Sequence, residues 1–307
     1  MPIAHPRPIT PAHLTTVCVV IAGALTLAAG QAPAPIVRKD IVYAVADSKP
    51  LALDLYLPAG VARPPLLVWV HGGAWRSGTK ASVPMGFVQN GIATASLDFR
   101  MSTDARFPAM VHDIKAAIRF LRATAATGGY QADRIAIGGD SSGGHLAALV
   151  GVSGGVAELE GTLGSNAGVS SRVQAILDYY GASNLTTILK QSTPFGLGVR
   201  EPALQLLFGA PPDKTEALAK LASPVFHVDR DDPPLLLFHG DQDPQMPINQ
   251  SHELQGAYEK LGLDVAFRVV HGSAHGGQAF YSGDNLTQAV TFLQRTIGPS
   301  STPGARR

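Results

Sequence analysis

Short apolar runs alternate with stretches of helical periodicity along most of the chain. The runs predict eight strands, at Ile41–Val45, Leu51–Leu57, Leu66–Val70, Ala93–Phe99, Arg134–Gly138, Val173–Tyr179, Pro234–His239 and Val265–Val270. Several of the later runs are apolar throughout, as expected for strands that are covered on both faces. The first two runs flank the turn residues Asp47 to Pro50, which predicts an antiparallel hairpin.

Longer stretches between the strands predict helices. From Phe107 to Ala126, apolar residues such as Met110, Ile114 and Leu121 recur on one helical face. Further helices are predicted after Ser142, from Ile248 to Leu261 and from Asn285 to Ile297. Strands that alternate with helices predict an α/β domain, with a mainly parallel sheet and helices on both of its faces.

Residues 183–226 interrupt this alternation, because more than forty positions separate the strands on either side. Short helical patterns occur there at Pro202–Phe208 and Lys214–Leu221. We expect a lid-like helical insertion or a substrate wall, with a surface excursion as the alternative. Residues 33–298 are predicted to form a single domain, and the polar residues 299–307 a disordered tail.

The N-terminal segment has the pattern of a secretory signal peptide. A stretch with Arg7 and no acidic residue precedes a nearly continuous apolar run from Leu14 to Ala29. The run is shorter than the roughly 20 residues that a membrane-spanning helix needs, and small residues follow it. We therefore expect residues 1–32 to be a signal peptide and the protein to be secreted or periplasmic, with an uncleaved anchor as the alternative.

Composition narrows the chemistry that the chain offers. With 24 basic against 23 acidic residues, the net charge of +1 gives no electrostatic footprint for nucleic acid. The one cysteine, Cys18, lies in the predicted signal peptide, so a mature chain has neither a thiol nucleophile nor a thiolate metal site. The histidines lack metal-ligand spacing, since His252-Glu253 has no second histidine four residues on. No metal and no cofactor are predicted.

The strongest chemical signal is the motif Gly139-Asp-Ser141-Ser-Gly143. An apolar strand leads into it and a helix follows it, so Ser141 lies on a sharp turn that exposes its hydroxyl above the sheet. Glycines two residues before and after the serine are needed there, because side chains would collide with the neighbouring strand or helix. Ser141 is therefore the candidate nucleophile, and Ser142 is expected to contribute its backbone N–H.

A serine hydroxyl needs a base that accepts its proton and an acid that orients the base. In this architecture the order along the chain is serine, acid, histidine. Asp243 follows one late strand and His275 follows the next, both at strand ends where ligand sites of open α/β sheets form. They are the candidate acid and base, with Asp241 and His271 as rivals.

Developing negative charge on a carbonyl oxygen needs fixed N–H donors. The strand Leu66–Val70 ends in His71-Gly-Gly-Ala74, a loop that turns backbone amides toward the site. We expect Gly73 and Ala74 to form an oxyanion hole with Ser142, while Gly72 remains an alternative and His71 fixes the loop. Trp75 is expected to bind substrate as a pocket wall, with a place in the core as the alternative.

Together these stretches resemble the α/β-hydrolase esterases. They are similar to the bacterial feruloyl esterase-like (BD-FAE-like) branch, which is related to the hormone-sensitive lipase and acetyl-esterase group. The stretches that carry this similarity are His71-Gly-Gly-Ala-Trp, Asp98-Phe-Arg100, Gly139-Asp-Ser-Ser-Gly-Gly-His-Leu-Ala and Asp243-Pro-Gln-Met-Pro247. The resemblance covers roughly residues 38–297. After Arg100, Met101-Ser-Thr-Asp replaces the Leu-Ala-Pro-Glu usual in the lipase group, which favours the feruloyl esterase-like branch.

The resemblance implies an α/β-hydrolase fold and a serine carboxylesterase with Ser141, Asp243 and His275 as its triad. Met246 stands where a small aliphatic residue is common, a difference that bears on leaving-group selectivity, and with Trp75 it is a candidate substrate-binding residue. The partner would be a small-molecule or polysaccharide-linked ester, with feruloyl or acetyl groups as candidate acyl groups. An amidase or arylformamidase with the same triad, and a non-catalytic binding module on this fold, are the alternatives.

Overall fold

The computed structural model of the 307-residue chain describes residues 1–5 and 34–298. Most of the predicted signal peptide, residues 6–32, and the predicted tail, residues 299–307, lie outside the described residues. Both therefore stay predictions. Among the described residues, none of the helices combines the length and apolar character that crossing a bilayer requires.

The described part of the chain contains eight strands in one sheet. Their bounds are β1 Ile36–Ala46, β2 Lys49–Leu57, β3 Leu66–Val70, β4 Ala93–Leu97, β5 Ile135–Asp140, β6 Ala175–Tyr179, β7 Leu235–Gly240 and β8 Val265–Val270. The spatial order is β1-β2-β4-β3-β5-β6-β7-β8, and the pairs β1–β2 and β2–β4 are antiparallel while the others are parallel. The predicted mainly parallel sheet with an N-terminal hairpin is confirmed.

Ten helices accompany these strands in the described residues. They are α1 Met85–Gln89, α2 Ala109–Ala123, α3 Ala125–Gly128, α4 Ser142–Val152, α5 Ala157–Glu160, α6 Ile188–Gln191, α7 Pro194–Phe208, α8 Glu216–Leu221, α9 Asn249–Leu261 and α10 Gly283–Ile297. Short 3-10 turns occur at Pro212–Lys214, Pro224–Phe226 and Gln278–Tyr281. The predicted helices correspond to α2, α4, α9 and α10, with ends that differ by a few residues.

The sheet separates two apolar cores. Along β3, Leu66, Val68 and Val70 belong to the core that packs against α2 and α4. Leu67 and Trp69 belong to the core on the opposite face, together with residues of α1 and α10. Successive side chains of a strand point to opposite faces, so an uninterrupted apolar run is what a strand covered by helices on both sides requires.

The insertion at residues 183–226 is helical, as predicted, and it packs against the loop that follows β7. Thr193 donates a hydrogen bond of 2.5 Å to the carbonyl of Pro244, and the buried Arg200 donates one of 2.8 Å to the carbonyl of Gln245. The helix α7 begins at Pro194, eight residues before the predicted start, and Pro202 lies inside it. The insertion thus contacts the loop that contains Asp243.

A buried carboxyl group lies on β6, an interior strand of the sheet. Asp178 of β6 is 1% exposed, and its Oδ1 accepts a 2.8 Å hydrogen bond from the N–H of Gly181. Its Oδ2 has no hydrogen-bond partner among the described residues. Burial raises the pKa of Asp178 from its ordinary value of 3.8 to about 7, although the Gly181 N–H acts in the opposite direction.

We predict that ionisation of Asp178 destabilises the fold. Between pH 3.8 and pH 7 the folded state keeps a proton that the unfolded chain loses, so this group makes stability fall with rising pH. For this single group, the free energy of unfolding falls by at most about 1.4 kcal/mol per pH unit. Asp178→Asn keeps an acceptor for Gly181 and cannot ionise. Urea unfolding of this variant between pH 4 and pH 8 should therefore show a free energy of unfolding that falls less steeply with pH than that of the parent protein. Equal pH dependence of the variant and the parent protein would contradict the prediction.

Candidate active site

Ser141 lies on a strained turn between β5 and α4. Its backbone has φ +54° and ψ −121°, and its N–H donates a 2.8 Å hydrogen bond to the carbonyl of Tyr179. A Cβ on Gly139 would collide with the backbone of Gly143, and one on Gly143 would collide with the carbonyl of Val70. The turn therefore needs both glycines that the sequence motif supplies, because the neighbouring backbones leave no room for a side chain.

The structure brings Ser141, His275 and Asp243 together. The Nε2 atom of His275 lies 2.8 Å from Oγ of Ser141, and Nδ1 lies 2.6 Å from Oδ2 of Asp243. The three side chains are largely buried, with Asp243 at 1% exposure and His275 at 15%. Because a carboxylate only accepts, Nδ1 carries a proton and Nε2 is the acceptor for the serine hydroxyl. This geometry suits transfer of the Ser141 proton to the imidazole.

Asp243 is held by hydrogen bonds from several directions. Oδ1 accepts from the N–H groups of Gln245 and Met246, both at 2.8 Å. Oδ2 faces His275 and lies 3.4 Å from Nε2 of the buried His239. Burial alone would raise the pKa of Asp243, but the hydrogen bonds from His239, His275 and the backbone hold it well below its usual range. Asp243 is therefore ionised at neutral pH.

The rival acid and base pair with each other instead. Nδ1 of His271 lies 2.8 Å from Oδ2 of Asp241, and the N–H of Gly272 donates a 2.7 Å hydrogen bond to Oδ1. The His271 side chain is 84% exposed. Asp241 thus braces the turn after β8, and neither residue lines the cavity beside Ser141.

The loop after β3 carries the candidate oxyanion donors. Gly73, Ala74 and Trp75 all have positive φ, at +124°, +53° and +60°. The carbonyl of Gly73 accepts hydrogen bonds from the N–H groups of Arg76 and Ser77, both at 3.1 Å. In a planar trans peptide the N–H points opposite to the carbonyl, so the N–H of Ala74 points away from that turn.

The candidate donors carry free N–H groups next to the serine. Within the described residues, the N–H groups of Gly73, Ala74 and Ser142 donate no hydrogen bond. Gly73 and Ala74 line the same cavity as Ser141, and Ser142 is the first residue of α4, where backbone N–H groups lack helical partners. Gly72, the alternative donor, is already engaged, since its N–H donates to Oδ1 of Asp140 at 3.0 Å.

Two residues hold the candidate oxyanion loop in place: His71, as predicted, and Asp140, to which the motifs gave no role. Asp140 accepts the Gly72 N–H, and burial raises the pKa of this carboxyl group. His71 donates from Nδ1 to the carbonyl of Gly72 at 2.8 Å and stacks on Phe99. Burial lowers the pKa of His71, so the ring stays neutral. The predicted contact of His71 with the loop is present. The sequence motif placed Asp140 next to Ser141 but did not predict its contact with the loop.

Trp75 occupies the core, the alternative that its sequence position left open, rather than a substrate wall. It is 1% exposed, does not line the cavity, and donates from Nε1 to Nδ1 of His145 at 2.9 Å. His145 donates in turn from Nε2 to the carbonyl of Ala222, and burial lowers its pKa to about 4, which keeps Nδ1 available as an acceptor. The expected substrate contact of Trp75 is therefore corrected, because its indole N–H is directed to a buried partner.

Met246 is likewise absent from the cavity lining. Its side chain is fully buried, its N–H supports Asp243, and its carbonyl lies 3.0 Å from Nε2 of His239. The neighbouring Gln245 lines the cavity instead. The expectation that Met246 contacts substrate is therefore corrected, because the loop turns this side chain into the core and the preceding one outward.

Tyr180 is a site residue that the sequence motifs did not reveal. It follows β6 directly, has φ +44°, and packs its ring edge-on against His275 with the ring centroids 4.8 Å apart. Its hydroxyl lies 3.0 Å from that of Tyr281. A positive φ is strained for a bulky residue, so surrounding contacts must hold it, as the 2.7 Å bond from its N–H to the carbonyl of Phe238 does.

A cavity of about 1020 Å³ opens beside Ser141 and His275. Its walls come from residues 82–89, which include the start of α1, and from residues 276–286, which lead into α10. No residue of the insertion 183–226 lines it. The insertion packs against the loop that contains Asp243, here called the acid loop, and does not form the expected substrate wall. Its lid-like role stays a prediction. Within residues 1–5 and 34–298 there is no cluster of three metal-ligating side chains.

Arg200 links the insertion to both loops of the site. Its guanidinium donates to the carbonyl of Gln245 and lies 6.0 Å from the ring centroid of Trp75. The side chain is almost fully buried, and this burial lowers its pKa to about 10, against the opposing charge of Asp243. Nothing in the sequence of the insertion pointed to this contact.

We predict that Arg200→Met destabilises the acid loop. Methionine fills similar space but leaves the partly buried Gln245 carbonyl without its donor, which should lower the free energy of unfolding by about 1 kcal/mol. Urea denaturation measures this change, and kcat for an ester should fall with it because Asp243 belongs to the same loop. Arg230→Met, at an exposed turn position, is the matched control. Equal stability of the two variants would contradict the role of Arg200.

Comparisons with known proteins agree with this fold and site. The sequence model of the BD-FAE family matches residues 53–258. Esterase LipQ of Mycobacterium tuberculosis is 30% identical over 243 residues, which cover 77% of this chain and 56% of that protein. The chain spans about half the length of the curated relatives it matches.

Solved structures extend the likeness. A truncated carbohydrate esterase from gut microbiota superposes with a TM-score of 0.78 at 30% identity and covers 86% of this chain and 97% of its own. Esterase Est2 of Thermogutta terrifontis gives a TM-score of 0.69 at 27% identity, covering 89% of this chain and 96% of its own, and its structure is also known with butyrate bound. Since the family match spans more than half of its residues, the chain belongs to the BD-FAE family and has the α/β-hydrolase fold.

Proposed function

We propose that the protein is a serine carboxylesterase that hydrolyses esters through an acyl-enzyme. The hydrogen-bonded series Ser141–His275–Asp243, with distances of 2.8 Å and 2.6 Å, is the observation that carries the proposal. The relatives named esterases support it.

The first half of the reaction forms the acyl-enzyme. Oγ of Ser141 attacks the ester carbonyl carbon while its proton passes to Nε2 of His275, and Asp243 stabilises the imidazolium that results. The carbonyl oxygen becomes an oxyanion, which the N–H groups of Gly73, Ala74 and Ser142 stabilise. When the bond to the leaving alcohol breaks, its oxygen takes the proton from His275, and the acyl group stays on Ser141.

The second half repeats these steps with water. His275 accepts a proton from water, whose oxygen attacks the acyl carbon and forms a second oxyanion in the same site. Collapse of this intermediate breaks the bond to Oγ of Ser141, which regains its proton from His275. The carboxylic acid leaves, so one water is consumed for each ester.

The finer proposal is that the substrate is an acylated carbohydrate, with feruloyl or acetyl as the acyl group. Four neutral polar side chains line the cavity without a hydrogen-bond partner in the described part of the chain: Ser82, Gln89, Gln245 and Gln278. Such groups suit a ligand that carries several hydroxyls. Trp69 and Tyr281 add aromatic surface to the same cavity. The likeness to a gut carbohydrate esterase supports this choice.

A fluorophosphonate probe and a substrate panel test the proposal. Mass spectrometry should locate one phosphonyl adduct on Ser141, and p-nitrophenyl butyrate, methyl ferulate and acetylated xylan should be compared with a formamide and an anilide. Ester turnover that exceeds amide turnover supports an esterase. An unlabelled Ser141, or faster cleavage of the amides, would contradict it.

Export is a separate proposal that rests on the pattern of residues 1–32. We propose that this segment is removed and that the enzyme acts outside the cytoplasm. N-terminal sequencing of the protein from culture medium or periplasm should find a start close to residue 33. A protein that keeps its first residues and stays in the cytoplasm would contradict it.

A further inference from the structure

Arg76 lies on the cavity wall directly after the candidate oxyanion loop. Its backbone is fixed by the turn, because its N–H donates to the carbonyl of Gly73 at 3.1 Å. Its side chain is exposed and lines the same cavity as Ser141 and His275. The guanidinium makes no hydrogen bond or ion pair with the described part of the chain.

This lack of a partner contrasts with the better-buried arginines of the fold. Arg100 pairs with Asp113 at 2.7 Å, and Arg119 pairs with Glu160 at 2.9 Å. Among the described residues that line the cavity, Arg76 is the one lysine or arginine, and Asp140 is the one acid. The carboxyl group of Asp140 accepts the Gly72 N–H and forms no ion pair with Arg76 among the described residues.

The electrostatic setting around Arg76 favours an anion. The N-terminus of the 11-residue helix α4 lies beside Ser141, and its free N–H groups contribute partial positive charge to the same side. A guanidinium binds a carboxylate through two parallel hydrogen bonds, and such charge-assisted bonds are about twice as strong as neutral ones. Arg76 therefore gives the cavity a positive charge that no carboxylate among the described residues pairs with.

We propose that Arg76 binds a carboxylate of the substrate, so that the preferred esters carry an acidic group near the scissile bond. Combined with the polar side chains of the cavity, this selects esters of acidic carbohydrates or of dicarboxylic acids. The inference rests on the proposed ester hydrolysis and deepens it. The carboxylate lies either on the alcohol part or on the acyl part, and the two arms of the experiment distinguish these sources.

Two matched substrate pairs provide those arms. The alcohol arm compares an acetylated methyl glucuronoside with the corresponding acetylated methyl glucoside. The acyl arm compares the p-nitrophenyl monoester of succinate with p-nitrophenyl butyrate, which has the same chain length without the charge. The measured quantity is the ratio of kcat/KM for the anionic ester to that for its neutral partner.

Arg76→Gln should lower this ratio about tenfold in one arm, the effect expected from one lost charge-assisted contact. Arg76→Lys should give a ratio between those of Arg76→Gln and the parent protein, because it retains the positive charge and loses the two parallel hydrogen bonds. In the parent protein the ratio should fall as ionic strength rises from about 0.01 M to about 1 M, where the screening length shrinks from ~30 Å to ~3 Å. Arg230→Gln, an exposed arginine outside the cavity, should leave the ratio unchanged.

An Arg76→Gln ratio equal to that of the parent protein in both arms would overturn the inference. The inference would also be overturned if ionic strength did not change the ratio of kcat/KM values in the parent protein. This second measurement needs no variant. Both outcomes leave turnover of the neutral esters in place, so they are distinguishable from failure of the proposed function. That failure would appear as an absence of ester turnover in the parent protein.

Discussion

Replacing Ser141 with alanine is expected to lower kcat for ester hydrolysis by roughly 10⁶-fold, the scale of loss known for the nucleophile of a serine hydrolase. The hydroxyl is the atom that attacks, and no other described hydroxyl lies within hydrogen-bonding distance of His275. Alanine removes one hydrogen bond and adds no atoms to the turn, so the fold should remain. Kinetics with p-nitrophenyl butyrate, together with urea unfolding, measure both parts of the expectation.

Ser142→Ala is the matched control for this result. Ser142 belongs to the same motif, but the residue is buried and only its backbone N–H has a role in the proposed reaction. The variant keeps that N–H and should therefore turn over esters far faster than Ser141→Ala. If the two alanine variants lost activity equally, or if Ser141→Ala kept the activity of the parent protein, the assignment of the nucleophile would be wrong.

Asp243→Asn is expected to lower kcat by about 10⁴-fold, the loss that a triad of this kind shows when its acid becomes an amide. Two N–H groups donate to Oδ1 of Asp243, so the amide oxygen of asparagine should stay at that position. The NH₂ group then faces Nδ1 of His275 and donates to it. This forces the proton onto Nε2, which can no longer accept the proton of Ser141.

The chain offers a close control for this change. Asp241 lies two residues earlier and pairs with His271 at 2.8 Å, much as Asp243 pairs with His275 at 2.6 Å. Asp241→Asn should leave kcat within about twofold, because the exposed pair does not reach the cavity. A large loss in Asp241→Asn, or a small one in Asp243→Asn, would reverse the assignment of the acid.

The strands and the serine turn could be predicted from the sequence because each rests on a local signal, whereas Asp243 and His275 lie far from Ser141 in sequence and had the rivals Asp241 and His271. Buried strands read as apolar runs, and the serine turn needs glycines whose positions the motif displays. The start of β1 escaped prediction, since Ile36 and Val37 are exposed and only pairing with Tyr56 and Leu57 makes them a strand. The helix α1 spans five residues, too few to show a helical period.

Contacts between residues that are distant in sequence could not be predicted from local patterns. Arg200 contacts Gln245 and Trp75 from a distant helix, and its neighbours in sequence predict none of this. Pro202 looked like a helix start, although it lies in the middle of α7. The side chains of Trp75 and Met246 point into the core because backbone turns at the two loops reverse them, and such turns depend on tertiary contacts more than on residue type.

The reacting groups and the cavity walls belong to different segments of the chain. Residues 82–89 and 278–286 contribute to the walls, yet none of them hydrogen-bonds to Ser141, His275 or Asp243. Substitutions in these two stretches can therefore reshape the space that a substrate meets while proton transfer proceeds as before. Evolution toward a new ester could therefore act on these walls, and a laboratory library confined to the eleven positions of the two stretches that line the cavity would vary specificity with little risk to turnover.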